Sequence, residues 1–84
     1  MKNQQIFETL NSIVKSIQSE AVINENTALI ADSVLDSLEF MNYLTKVEET
    51  FSLNISDEEI SNQQLGIISN MITYIISKNN ESSL

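Results

Sequence analysis

Cysteine, histidine, tryptophan, arginine and proline are all absent from this 84-residue chain, and glycine occurs once. Without histidine or cysteine, the side chains most used for proton shuttling, covalent catalysis and metal binding near neutral pH are missing. No catalytic residue, no metal ligand set and no enzyme are therefore expected. Paired carboxylates in a cleft could still do acid–base work, but the acidic residues fall at helix caps and outer faces of a chain too small for an obvious pocket. No disulfide can reinforce the fold, so a thin core worth about 3–5 kcal/mol must come from helix packing. Long apolar runs are also missing, and the opening Met1-Lys2-Asn3-Gln4-Gln5 is polar. Neither a signal peptide nor a membrane span is expected, which makes the cytoplasm the expected location. Basic charge is scarce: four lysines face twelve acidic residues, for a net charge of −8. Such a surface repels nucleic acid and anionic membranes and suits partners with basic surfaces, while also serving solubility.

The lack of proline and near-lack of glycine argue against a β-protein built on tight turns. Apolar residues instead recur at helical spacing, and the predicted fold is all-α: a small four-helix bundle of three longer helices and a short third one. In the first stretch, Ile6, Leu10, Ile13, Val14 and Ile17 follow i, i+4, i+7, i+8, i+11 along a helix from about Asn3 to Ser19, with Phe7 widening the face. A long connection follows, in which Leu29, Ile30, Val34 and Leu35 are expected to dock on the core. The second helix opens at Asp36, a good N-cap, and Glu39 can close a capping box onto the Asp36 amide. Leu38, Met41, Leu44, Val47 and Phe51 share its inward face, Glu39, Asn42, Lys46 and Glu49 lie mostly outside, and Phe40 and Tyr43 sit between. Ser56-Asp57-Glu58-Glu59 is a second capping box, opening a short helix through about Ile60-Ser61 that depends on tertiary contacts. The last helix is expected from about Gln63 to Lys78, with Leu65, Ile68, Met71, Ile72, Ile75 and Ile76 inward and Lys78 near the negative end of its dipole. Residues 1–78 read as a single domain and 79–84 as a frayed tail.

Ser37 falls at the first helical position after Asp36. There a hydroxyl lies beside unpaired backbone amides and the positive end of the helix dipole, where an attached phosphodiester would be stabilised. An isolated Asp-Ser pair carries little information, because serine is also an ordinary small residue of first turns. The wider order carries more. Val34-Leu35-Asp36-Ser37-Leu38-Glu39-Phe40 is followed by Val47-Glu48-Glu49-Thr50-Phe51, Leu53-Asn54-Ile55 and Ser56-Asp57-Glu58-Glu59-Ile60. This order resembles the acyl carrier protein family over nearly the whole chain, with Phe51 fourteen residues after Ser37.

The resemblance implies a carrier whose Ser37 receives the 4′-phosphopantetheine arm of coenzyme A from a phosphopantetheinyl transferase. Acyl or aminoacyl intermediates would ride on that arm as thioesters and be presented to a loading enzyme and to downstream transferases or synthases with basic docking surfaces. Asp36 would steady the attachment turn, and Leu38 would be an apolar contact beside it. Glu39, Phe40, Glu48, Asp57 and Glu58 would meet partners, with a monomer as the working form. Asp32-Ser33-Val34 is a competing site, but Ser33 stands upstream of the helix and has Val47 rather than Phe51 fourteen residues on. Asn42 and Lys46 interrupt the acidic surface usual in fatty-acid carriers, and Leu35 stands where those carriers have a small residue. The form looks more like a freestanding carrier of a specialised pathway. The alternative function is a small acidic adaptor that binds a protein through exposed Phe40 and Tyr43 with Ser37 never modified.

Overall fold

A computed structural model describes the backbone of residues 2–82 and the side chains of residues 2–79. The apolar spacing is realised as four helices: α1 (Asn3–Ile17), α2 (Ser37–Phe51), α3 (Asp57–Asn62) and α4 (Ile68–Ser82). Among the described residues there is no strand beyond one isolated bridge between Ala28 and Ile67. Helix α1 packs against both α2 and α4. Its stripe is the expected one, with Ile6, Leu10, Ile13 and Val14 buried and Phe7 and Ile17 packed at the margin. Opposite them α4 contributes Ile68, Met71, Ile72, Tyr74 and Ile75, all buried, with Ile76 partly so.

The long α1–α2 connection earns its order by hydrogen bonding rather than by burial alone. Its Thr27 and Glu25 carbonyls accept the Ile68 and Ser69 amides at 3.0 and 2.9 Å, capping the first turn of α4, and the Leu29 amide donates to the Gly66 carbonyl at 2.8 Å. The Leu29 carbonyl in turn accepts from Val34 and Leu35, each at 3.0 Å, and Asp32 accepts from the Ala28 amide at 2.9 Å. A loop packed this tightly must place its polar groups on partners, and α4 supplies them. Leu29 and Leu35 are buried and Val34 is half-buried, as expected, whereas Ile30 stands 44 % exposed. Ile30 is displaced outward because the chain turns between Ala28 and Ser33, where Ser33 adopts a positive φ of 59°.

Helix α2 is rotated from the expected face. Tyr43 and Val47 are fully buried and Leu44 nearly so, while Leu38 and Met41 are 79 % and 64 % exposed. Tyr43 and the half-buried Phe40 turn inward and stack, ring centroids 5.8 Å apart at 22°. Burying two aromatic rings removes more apolar surface from water than burying a Leu and a Met, which decides the rotation. Phe51 packs against the core at the helix end, and Ser52 closes α2 in the left-handed conformation at φ 55°.

Both capping boxes form as read. The Asp36 carboxylate accepts from the Glu39 amide at 2.8 Å while Glu39 accepts from the Asp36 amide at 3.0 Å, and Ser56 and Glu59 make the equivalent pair at 3.1 and 3.0 Å. Helix α4 begins at Ile68 rather than Gln63, because Gln64 takes a positive φ of 50° and breaks the run. It also continues to Ser82, so Lys78 is not at its end; it pairs instead with Glu59 of α3 at 3.3 Å. Of the tail expected at 79–84, Ser83 and Leu84 lie outside the described residues.

Candidate functional site

The site is built around the start of α2. Asp36 has an extended backbone and caps the helix, which puts Ser37 at the first helical position with its side chain exposed. The Glu39 amide is taken by Asp36, and the Phe40 amide donates to the Asp36 carbonyl at 2.8 Å. The Ser37 and Leu38 amides find no acceptor among the described residues, and neither does the Ser37 hydroxyl. Two backbone donors at the positive end of a helix dipole, beside a solvent-facing oxygen, form a place for an anion covalently held on that oxygen.

Glu39 is held from two sides. One carboxylate oxygen closes the capping box, and the other accepts from the Gln18 side-chain amide at 2.8 Å, which ties the end of α1 to the turn that presents Ser37. Around Ser37 lies a shallow depression of about 380 Å³ lined by Gln18, Ile30, Ser33, Val34, Leu35, Asp36 and Glu39. Ser33 belongs to the same depression, but it sits in the loop with a positive φ and off any helix, so the dipole does not serve it.

Leu38, beside Ser37, and Met41 one turn on project into solvent. Met41 and exposed Asp57, at the start of α3, line one groove. It lies between these elements, measures about 360 Å³ and is lined by Phe40, Met41, Leu44, Thr45, Glu48, Ile55, Asp57 and Ile60. Glu48 is half-buried there and accepts from the Ile55 amide at 2.8 Å, which fixes the α2–α3 connection. Phe40 is half-buried and packs against the core. The exposed aromatic pair on which an unmodified adaptor would depend is absent, since Tyr43 is fully buried. Met41 falls on the inward face by periodicity, yet it is exposed because the larger aromatic residues of α2 take the core.

Elsewhere the titrating groups have structural causes. The Glu59 carboxyl is held down to about 2, first by the Ser56 backbone amide; burial opposes this as the next largest effect, and Lys78 and the Ser56 hydroxyl add to the lowering. Burial pushes the Tyr43 hydroxyl far above its usual range, and the Tyr74 hydroxyl is raised by burial and then by nearby Glu59. Among the described residues no cluster of metal-binding side chains occurs, and no helix is long and apolar enough to cross a membrane.

Three curated proteins align along most of this architecture. The acyl carrier protein of Beutenbergia cavernae is 35 % identical over 65 residues, covering 64 % of this chain and 77 % of that protein. That of Chlamydia caviae is 34 % identical over 73 residues, covering 80 % and 92 %, and that of Coprothermobacter proteolyticus is 30 % identical over 78 residues, covering 89 % and 92 %. No protein-family profile and no solved structure matches the chain. A four-helix fold, a serine at the first position of α2, and this degree of identity over most of the relatives' length agree: the chain belongs to the acyl carrier protein family.

Proposed function

We propose that Ser37 carries a 4′-phosphopantetheine arm and that the protein shuttles acyl or aminoacyl groups between enzymes without catalysing a reaction itself. What supports this most is the exposed Ser37 hydroxyl at the start of α2, beside two backbone amides with no acceptor among the described residues. Those donors suit a phosphodiester. Asp36 and Glu39 hold the turn by their reciprocal hydrogen bonds, so the backbone that carries Ser37 is fixed.

Attachment would join Ser37 Oγ to the phosphorus nearest the pantetheine of coenzyme A, break that phosphorus–oxygen bond of the pyrophosphate, and release 3′,5′-adenosine bisphosphate. The serine proton would pass to a base on the modifying transferase, since the Asp36 carboxylate beside it is already engaged in capping the helix. Once in place, the arm supplies a mobile terminal thiol to a protein that has none, and acyl groups are held there as thioesters. Leu38 and Met41, with Asp57 and Glu58, form the surface offered to the transferase and to acyl-handling partners with basic patches. Glu39 and Glu48 contribute charge to that surface while engaged in structural hydrogen bonds. Leu35 before the Asp-Ser pair and Asn42 and Lys46 on α2 favour a carrier of a specialised pathway over one of fatty-acid synthesis.

The test is intact mass spectrometry after incubation with coenzyme A, magnesium and a broad-specificity transferase. One pantetheine adduct is expected on the wild type and none on Ser37→Ala. An unmodified wild type under conditions that load a control carrier would overturn the proposal, and a modified Ser37→Ala would move the site to Ser33.

A further inference from the structure

Gln18 is the residue at which the chain leaves α1, and its backbone is held on both sides: its amide donates to the Val14 carbonyl at 2.8 Å and its carbonyl accepts from the Ala21 amide at 3.0 Å. From that fixed base its exposed side chain crosses to α2 and donates to Glu39 Oε2 at 2.8 Å, while Glu39 Oε1 accepts from the Asp36 amide at 3.0 Å. Both oxygens of one carboxylate are thus engaged two residues from Ser37, and Gln18, Glu39 and Ser37 line the same depression. The second capping box offers an internal contrast. There Glu59 Oε2 is met by the Lys78 ammonium at 3.3 Å. An ammonium fixes a carboxylate and cancels its charge, whereas an amide fixes it and leaves the charge standing. The box beside Ser37 has the amide, and no lysine pairs with Glu39 among the described residues.

We infer that Gln18 is a positioning residue for the modification of Ser37: it holds the Glu39 carboxylate in a fixed orientation, uncancelled, for a cationic side chain of the modifying transferase. The inference rests on the carrier reading and names a device that regulates recognition of that same site. A carboxylate fixed before encounter spares the partner the cost of immobilising a flexible side chain, and its charge stays available to a basic surface. Gln18 touches neither the reacting oxygen nor the phosphorus it would attack, so its effect passes through Glu39 and belongs to binding rather than to the chemical step.

The experiment measures initial rates of pantetheine transfer from coenzyme A to the apo protein, with magnesium and a broad-specificity transferase, over a range of carrier concentrations and read by intact mass. Gln18→Ala should raise KM for the carrier about three- to tenfold with kcat unchanged. In a Glu39→Ala background the same substitution should change nothing further, because Gln18 acts through Glu39. Gln18→Lys keeps a donor on Glu39 but cancels its charge, so KM should rise while the melting temperature holds, a split that a merely structural tie would not produce. A wild-type KM in either Gln18 variant, or an equal loss in both backgrounds, would overturn the assignment and leave the carrier reading intact. A wild type that gains no mass while a control carrier is loaded defeats the carrier reading and this role with it.

Discussion

At the scale of single residues, Tyr43 and Ser37 show opposite uses of a hydroxyl. Ser37 keeps its oxygen in solvent at a helix start, where the backbone leaves donors over. Tyr43 carries its oxygen into the core, where no hydrogen-bond partner meets it among the described residues. The ring is worth burying for its area, but an unpartnered buried hydroxyl costs about 1–3 kcal/mol. Tyr43→Phe keeps the ring and removes the cost. Its melting temperature should equal or exceed that of the wild type, and a clear fall in thermal denaturation would mean that the hydroxyl has a partner. Gln18 reaches across from α1 to Glu39, a contact between residues 21 apart in sequence. Nothing in local spacing points to it, because it exists only once α1 and α2 are packed.

At the scale of elements, α3 is the least self-sufficient. It spans six residues, buries none of them, and leans on its capping box and on the Glu59–Lys78 pair to α4. The Glu59 carboxyl is depressed in the folded protein to about 2 from an ordinary 4.5. Its contribution is therefore complete above about pH 4.5 and is lost as pH falls toward 2. Amide exchange in α3 should accelerate over that window more than exchange in α1, and Glu59→Gln should flatten the difference. Equal acceleration in both helices would contradict this role.

The elements were legible where local chemistry decides them: the α1 stripe by its period, the starts of α2 and α3 by their capping boxes. The facing of α2 was not, because Leu38, Met41, Phe40 and Tyr43 are all apolar enough to go inward. The rings of Phe40 and Tyr43 take the inward face because they bury the most area, a comparison that spacing does not make. The start of α4 was likewise hidden, since Gln64 carries no glycine-like signal for its positive φ. Of the candidate site, the placement of Ser37 and Asp36 could be read directly. The free face of Leu38 and the depression around Ser37 could not, being products of tertiary packing.

At the scale of the whole molecule, a net charge of −8 sits on a body with principal extents of 38 × 26 × 21 Å. With a screening length of about 10 Å at 0.1 M salt, much of the self-repulsion across such a body is open to relief. Moderate salt or divalent cations should raise the melting temperature, and a flat or falling response would refute the electrostatic account. The same excess of negative charge suits a protein that visits several basic partners in turn, provided it has something to deliver. That provision is the covalent arm. Fragmentation mass spectrometry of the protein purified from its own host tests it most directly. The carrier assignment predicts a phosphopantetheine mass localised on Ser37; a chain recovered wholly unmodified, or modified on Ser33 instead, would contradict it.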